Sequence, residues 1–150
     1  MSTTTLASHL FITAVGAHMR GLPLNYQLTD LGATFVKEAK TAPVYRLYSM
    51  GPRPLLVRQT KLADSNSTYV GNSINLEVWS MPLENVGRFL QQIPSPLGLG
   101  TVELDSGECV KGFIGEAYAI DELAAVDITH LGGWRAHLAA LDALSSSKTD

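Results

Sequence analysis

One histidine stands where proton chemistry needs it. His18 lies in Gly16-Ala17-His18-Met19-Arg20-Gly21, a short loop between two glycines, entered from the apolar run 10–15 (LFITAV). Backbone amides in such a loop can converge on an anion, and an imidazole beside them can give or take a proton near neutral pH. The plainer role for the same residue is a hydrogen bond to a neighbouring carbonyl in a tight turn. The other histidines, His9, His130 and His137, are scattered, with none at the i, i+4 spacing that puts two metal ligands on one helix face. No metal site is expected. Glu116 follows Gly112-Phe113-Ile114-Gly115 and is either a pocket base or a solvent-facing acid at a strand end. Arg46 and Lys111 lie in or beside predicted strands, where a long cation either snorkels outward or points into a polar cavity. Cys109 has only Lys111 as a basic neighbour and reads as a packed hydrophobe rather than a nucleophile. The phosphate-loop, dinucleotide, zinc-protease and nucleophile-elbow motifs are all missing from the sequence.

These residues need elements to hold them. Branched and aromatic runs predict strands at 10–15, 33–39, 44–48 and 55–58. Residues 74–81 (INLEVWSM) alternate, with Ile74, Leu76, Val78 and Ser80 facing one way. Pro82 is expected to open a helix over 82–93, with Leu83, Val86, Phe89, Leu90 and Ile93 on one face. Gly98-Leu99-Gly100 reads as a turn, followed by a hairpin of 101–104 and 109–114 around Asp105-Ser106-Gly107. Residues 61–73 are polar and turn-rich and read as an exposed hairpin or mobile loop, and 121–130 as loop with a short turn. A terminal helix over 134–144 carries Trp134, Leu138, Leu141 and Leu144 on one face, and Trp134 is expected to pack it onto the sheet. The sum is a strand-dominated α+β order of six or seven strands with a few short helices. One domain over 10–144 is expected, with tails at 1–9 and 145–150.

Composition bounds the rest. The chain has 150 residues, 45% of them apolar and 17% charged, enough to build one core without disulfides. Fourteen acids against eleven bases give a net charge of −3, so the basic footprint that nucleic acid or an anionic membrane demands is missing. The longest apolar runs fall far short of the roughly 20 residues a membrane span needs. No Lys or Arg precedes the first apolar run, as a secretory leader would require. A single cysteine excludes an internal disulfide and any multi-cysteine metal site. A cytoplasmic protein is expected.

Taken together, the segments resemble a known family. Val15-Gly16-Ala17-His18-Met19-Arg20-Gly21-Leu22-Pro23-Leu24-Asn25-Tyr26-Gln27-Leu28 is similar to the opening of the C-terminal domain of allophanate hydrolase. The same family shows Thr41-Ala42-Pro43-Val44-Tyr45-Arg46-Leu47-Tyr48, then Glu77-Val78-Trp79-Ser80-Met81-Pro82, then the 93–104 segment and Val110-Lys111-Gly112-Phe113. It closes with Asp127-Ile128-Thr129 and Gly132-Gly133-Trp134-Arg135-Ala136. These blocks run in family order from about residue 10 to residue 138.

The resemblance implies a gamma-glutamyl cyclotransferase-like fold, a small mixed barrel-like sheet with a cavity at one end. In full-length allophanate hydrolases an amidase domain first deaminates allophanate. The C-terminal domain then converts the product, N-carboxycarbamate, to carbon dioxide and ammonia, and the family histidine of the Gly-Ala-His loop corresponds to His18. Gly16, Ala17, Met19, Arg20, Tyr45, Arg46, Lys111 and Glu116 are expected to bind the substrate, with Arg46 or Lys111 holding a carboxylate. No cofactor is implied. The partners implied are a small anionic substrate and a separate amidase or a second copy of the chain, because no Ser-Ser-Gly-Gly-Ser-type amidase signature accompanies these blocks and a stand-alone copy is expected. Two alternatives remain: a cyclotransferase-like enzyme on another small amide, and a non-catalytic module that docks to an amidase. True gamma-glutamyl cyclotransferases carry a Tyr-Gly-Ser loop and a catalytic glutamate. Here the loop reads Val-Gly-Ala-His and residues 94–97 hold no acid, so that activity would need Glu103 or Glu116 at the cavity.

Overall fold

The computed structural model describes residues 8–60 and 71–147. Eight strands form two sheets: β1 (His9–Ala14), β2 (Thr34–Lys40), β3 (Tyr45–Met50), β4 (Arg53–Arg58), β5 (Asn75–Pro82), β6 (Leu97–Glu103), β7 (Cys109–Gly115) and β8 (Val126–Asp127). The larger sheet has the order β2-β5-β1-β7-β6 and the smaller β4-β3-β8. β1 runs antiparallel to β5 and parallel to β7, so both its edges are paired, and its second half is buried on both faces. Ile12, Thr13, Ala14 and Val15 are accordingly all buried.

β5 is equally central, and this changes the meaning of its alternation. Ile74, Leu76 and Val78 are buried as the pattern predicts, but so are Glu77, Trp79 and Met81 on the opposite face. A carboxylate that the period-2 rule would send to solvent is therefore held inside.

Four helices, α1 (Tyr26–Thr29), α2 (Val86–Gln91), α3 (Tyr118–Glu122) and α4 (Trp134–Ser147), and 3-10 turns at Leu83–Asn85 and Thr129–Leu131 complete the described residues. The α+β class is as expected, with eight strands among the described residues against an expectation of about six or seven. Gly98 and Gly100 are inside β6, not in a turn. Gly100 faces Gly112 across the hairpin, and the Ile114 side chain fills the space where a Cβ on Gly100 would lie. Residues 121–130 hold the end of α3, the two-residue β8 and a 3-10 turn, all too short for a periodic signal.

Pro82 does not open a helix. It pairs with His9 as the last residue of β5 in an extended conformation, so helical structure begins only at Leu83. On that segment Phe89 is fully buried, while Leu83 and Leu90 are exposed. α4 packs through Trp134, His137 and Leu138, whereas Leu141 and Leu144 are exposed. Cys109 is exposed rather than packed, because it starts β7 with its side chain opposite in sense to the buried Val110. β1 starts at His9, inside the expected tail, and α4 runs on past residue 144. Of the 61–73 segment, residues 61–70 lie outside the described residues, and Asn72 exchanges backbone hydrogen bonds with Tyr45. No helix among the described residues is long and apolar enough to cross a membrane.

Candidate functional site

The loop after β1 is built from its own hydrogen bonds. The Met19 amide donates to the Gly16 carbonyl and the Leu24 amide to the Ala17 carbonyl, while the Asn25 side chain donates to the His18 carbonyl. Its position is set by a close approach. A Cβ on Gly16 would sit 2.1 Å from Cγ of Pro54, so only glycine lets the β3–β4 hairpin lie against the loop. That hairpin turns at Gly51, whose φ of +69° suits glycine.

His18 sits half-buried between three side chains. Its ring stacks on Phe113 at 4.6 Å between centroids and meets the edge of Phe89 at 5.6 Å. Its Nε2 hydrogen bonds to Oε1 of Gln27 at 2.7 Å. An amide oxygen only accepts, so Nε2 carries the hydrogen and Nδ1 is the free lone pair of the neutral ring. Burial pushes the imidazole below its ordinary value of 6.5, and the bond to Gln27 pulls it back only in part.

A cavity of about 250 Å³ opens in front of this ring. Gly16, Ala17, His18 and Gln27 form one wall, Pro52, Arg53 and Pro54 of the hairpin another, and Gln92, Ile93, Pro94, Leu97 and Phe113 the remainder. Among the described residues lining it there is one histidine, one arginine, two glutamines and no carboxylate.

Of the residues the sequence nominates, the structure brings Gly16, Ala17 and His18 together here. The others lie elsewhere. Met19 is buried in the core and borders a different cavity of about 560 Å³. Tyr45 is fully buried, its hydroxyl accepting the Glu103 amide at 2.9 Å. Arg46 is paired with Asp127, and Lys111 is exposed with its ammonium 3.3 Å from Oγ1 of Thr101. Glu116 is exposed at the end of β7, and Glu103 lies 3.6 Å from Arg58, so neither acid reaches the His18 cavity.

Arg20 answers the anion question in an unexpected way. Its amide donates to Oε1 of Glu77 at 2.9 Å, its Nε to Oε2 at 3.1 Å, and its guanidinium stands 3.7 Å from the centre of the Phe35 ring. Arg135 and the Trp79 indole each donate to the same carboxylate at 3.1 Å. The anion that the glycine-bracketed loop holds is thus a side chain of the protein itself. Burial pushes the Glu77 carboxyl up, but these hydrogen bonds outweigh it and hold the group below its usual value. The larger cavity beside Glu77 is walled by Lys37, Glu38, Lys40, Asp105 and Arg135, a mixed surface in which charges of both signs face each other.

Sequence reasoning missed Gln27, Arg53 and Glu77. Gln27 bonds His18 and Arg53 lines the same cavity only through the fold, and neither type marks a site alone. Glu77 does carry a signal, an acid between Val78-Trp79 and Leu76 in an apolar strand, which becomes legible once β5 is known to be central.

Known proteins share this fold. The chain is 42% identical over 142 residues to the urea amidolyase of Saccharomyces cerevisiae, covering 91% of this chain and 7% of that protein. The Kluyveromyces lactis allophanate hydrolase superposes with a TM-score of 0.79 at 39% identity, over 94% of this chain and 22% of that one. A uropathogenic E. coli-specific protein superposes at 0.77 with 29% identity, over 89% of this chain and 98% of that one. For fold alone, an AIG2-like protein of Mus musculus superposes at 0.52 with 19% identity, as the gamma-glutamyl cyclotransferase-like expectation requires. The chain thus spans a small fraction of the curated relative it matches. With residues 10–139 matching its profile, the chain belongs to the allophanate hydrolase C-terminal domain family.

Proposed function

We propose that this domain decarboxylates a small carboxylated amide of the N-carboxycarbamate type, with His18 as the proton donor. The observation that carries the reading is the composition of the cavity: an oriented imidazole and a guanidinium, with no carboxylate among the described residues lining it. Such a site favours an anionic substrate and lacks the acid that cyclotransferase chemistry would use.

N-carboxycarbamate is a dianion with two carboxylates on one nitrogen. Breaking one C–N bond releases carbon dioxide, and the electron pair left on nitrogen takes a proton to give carbamate, which then falls to ammonia and a second carbon dioxide. In the empty site burial keeps His18 neutral. A bound dianion reverses that balance, because a nearby negative charge favours imidazolium. The proton is thus acquired with the substrate and passed from Nδ1 to nitrogen as the bond breaks, while Gln27 holds the ring through Nε2. General acid help of this kind contributes roughly 10²–10⁴ in rate. Substrate must come from a hydrolytic deamination, the step an amidase performs. We assign the reaction to the cytoplasm, in keeping with a chain that has one cysteine and an acidic balance.

The test supplies allophanate and an isolated amidase domain, with and without this protein, and follows ammonia and carbon dioxide at a pH where N-carboxycarbamate decays slowly. An accelerated second step that His18→Asn abolishes is the expected result. Unchanged release with the folded wild-type protein would overturn the enzymatic reading in favour of a module that docks to an amidase.

A further inference from the structure

We propose that Arg53 is the residue that recognises a substrate carboxylate in the His18 cavity, so that the site selects small molecules whose end remote from the reacting nitrogen is anionic. This rests on the reading of His18 above and names the other half of the site.

Arg53 is the sole cation among the described residues lining that cavity. The cations the family blocks contain are engaged elsewhere: Arg20 on Glu77 and Glu38, Arg46 on Asp127, Arg135 on Glu77, and Lys111 beside Thr101. Arg53 has no ion pair or side-chain hydrogen bond among the described residues. An unpaired guanidinium at a cavity wall offers a planar fork whose geometry matches a carboxylate.

Its placement is fixed by the fold. Arg53 is the first residue of β4, paired with Met50 across the turn, and the next residue, Pro54, is the one pressed against Gly16. The contact that seats the hairpin on the His18 loop therefore also sets Arg53 on the wall formed by the hairpin, with His18 on the wall formed by the loop. Arg53 also borders a second, shallower depression together with Ser95, Pro96 and Leu123, which leaves its side chain room to swing onto a ligand. The apolar stretch of the cavity, Ile93, Pro94, Leu97 and Phe113, offers no competing polar partner for the carboxylate. A guanidinium on one side and an imidazole on the other would distinguish a dianion or a carboxylated amide from a neutral diamide of the same shape.

The experiment titrates the protein with malonate, the carbon isostere of N-carboxycarbamate, and with malonamide, its neutral counterpart, reading the His18 ring resonances by NMR. Expected for wild type is saturable binding of malonate that raises the His18 titration midpoint, with much weaker binding of malonamide. Arg53→Gln should weaken malonate by roughly 10–100-fold while leaving malonamide unchanged, the range for losing a charge-assisted bond, and Arg53→Lys should fall between. Arg53 is exposed, so the melting temperature of both variants should stay near that of wild type. Malonate binding to Arg53→Gln at wild-type strength would overturn the assignment of Arg53 and leave the reading of His18 standing. Failure of malonate to perturb His18 in the wild-type protein would overturn both.

Discussion

At the scale of single residues, the surroundings of His18 decide what it can do. Phe113 and Phe89 remove water from the ring and Gln27 fixes its hydrogen, so the imidazole is packed as well as poised. Its folded pKa lies below 6.5, which means the unfolded chain binds the proton more readily. Stability from this group is therefore complete above pH 6.5 and declines as pH falls from there toward the folded midpoint. His18→Gln should flatten that stretch of a stability-against-pH curve, measured by denaturant unfolding. Gln27→Met removes the acceptor that partly restores the pKa, so the His18 midpoint, followed by NMR, should drop further; a rise would show that Gln27 is not the controlling partner. Because the ring is stacked, His18→Ala would also remove packing, and a polar replacement separates chemistry from stability better. The loop histidine was legible in the sequence through its bracketing glycines. Gln27 and Arg53 were not, because only the fold brings these residue types, common on any surface, to one cavity with His18.

At the scale of elements, two placements hold the site. The β3–β4 hairpin is seated by Pro54 on Gly16, and the distal end of the His18 loop is tied to β5 by Glu77. Glu77 is 2% exposed while the Arg20 and Arg135 side chains are about half exposed, at 44% and 48%. Glu77→Gln should cost roughly 2–3 kcal/mol, below the roughly 3–5 kcal/mol of a fully buried pair because solvent screens both arginines. The folded pKa of Glu77 is depressed, so its stabilisation is present above about pH 4.5, the ordinary value, and is lost as pH falls through the folded value. Acid unfolding of Glu77→Gln should accordingly be less steep in that window, and an unchanged slope would remove Glu77 from the linkage. β5 itself was evident from its alternation. Its central place was not, since periodicity reports which residues share a face and says nothing of whether the second face is covered. The helix expected from Pro82 failed for a related reason: pairing with His9 keeps that proline extended.

At the scale of the whole molecule, α4 closes the bundle of contacts by burying Trp134 against the core while Arg135 reaches Glu77 and the Arg20 carbonyl. Trp134→Ala should destabilise by roughly 3–5 kcal/mol, the usual result for a buried aromatic; a melting temperature unchanged from wild type would mean the helix is peripheral. The α+β class and most strands were readable from composition and pattern, whereas the order of the five-stranded sheet depends on the parallel contact of β1 with β7, two runs about a hundred residues apart in the sequence. The His18 cavity lies at the end of that contact, where β1 gives way to its loop and Phe113 of β7 meets the ring. The central claim is that this cavity shortens the life of N-carboxycarbamate by protonating its nitrogen. Generating that intermediate from ¹³C-labelled allophanate with an isolated amidase domain, and timing its disappearance by NMR, tests the claim directly. The expected lifetime is shortened roughly 10²-fold or more by the wild-type protein and left at the uncatalysed value by folded His18→Asn. An intermediate that decays equally fast with both proteins would contradict it.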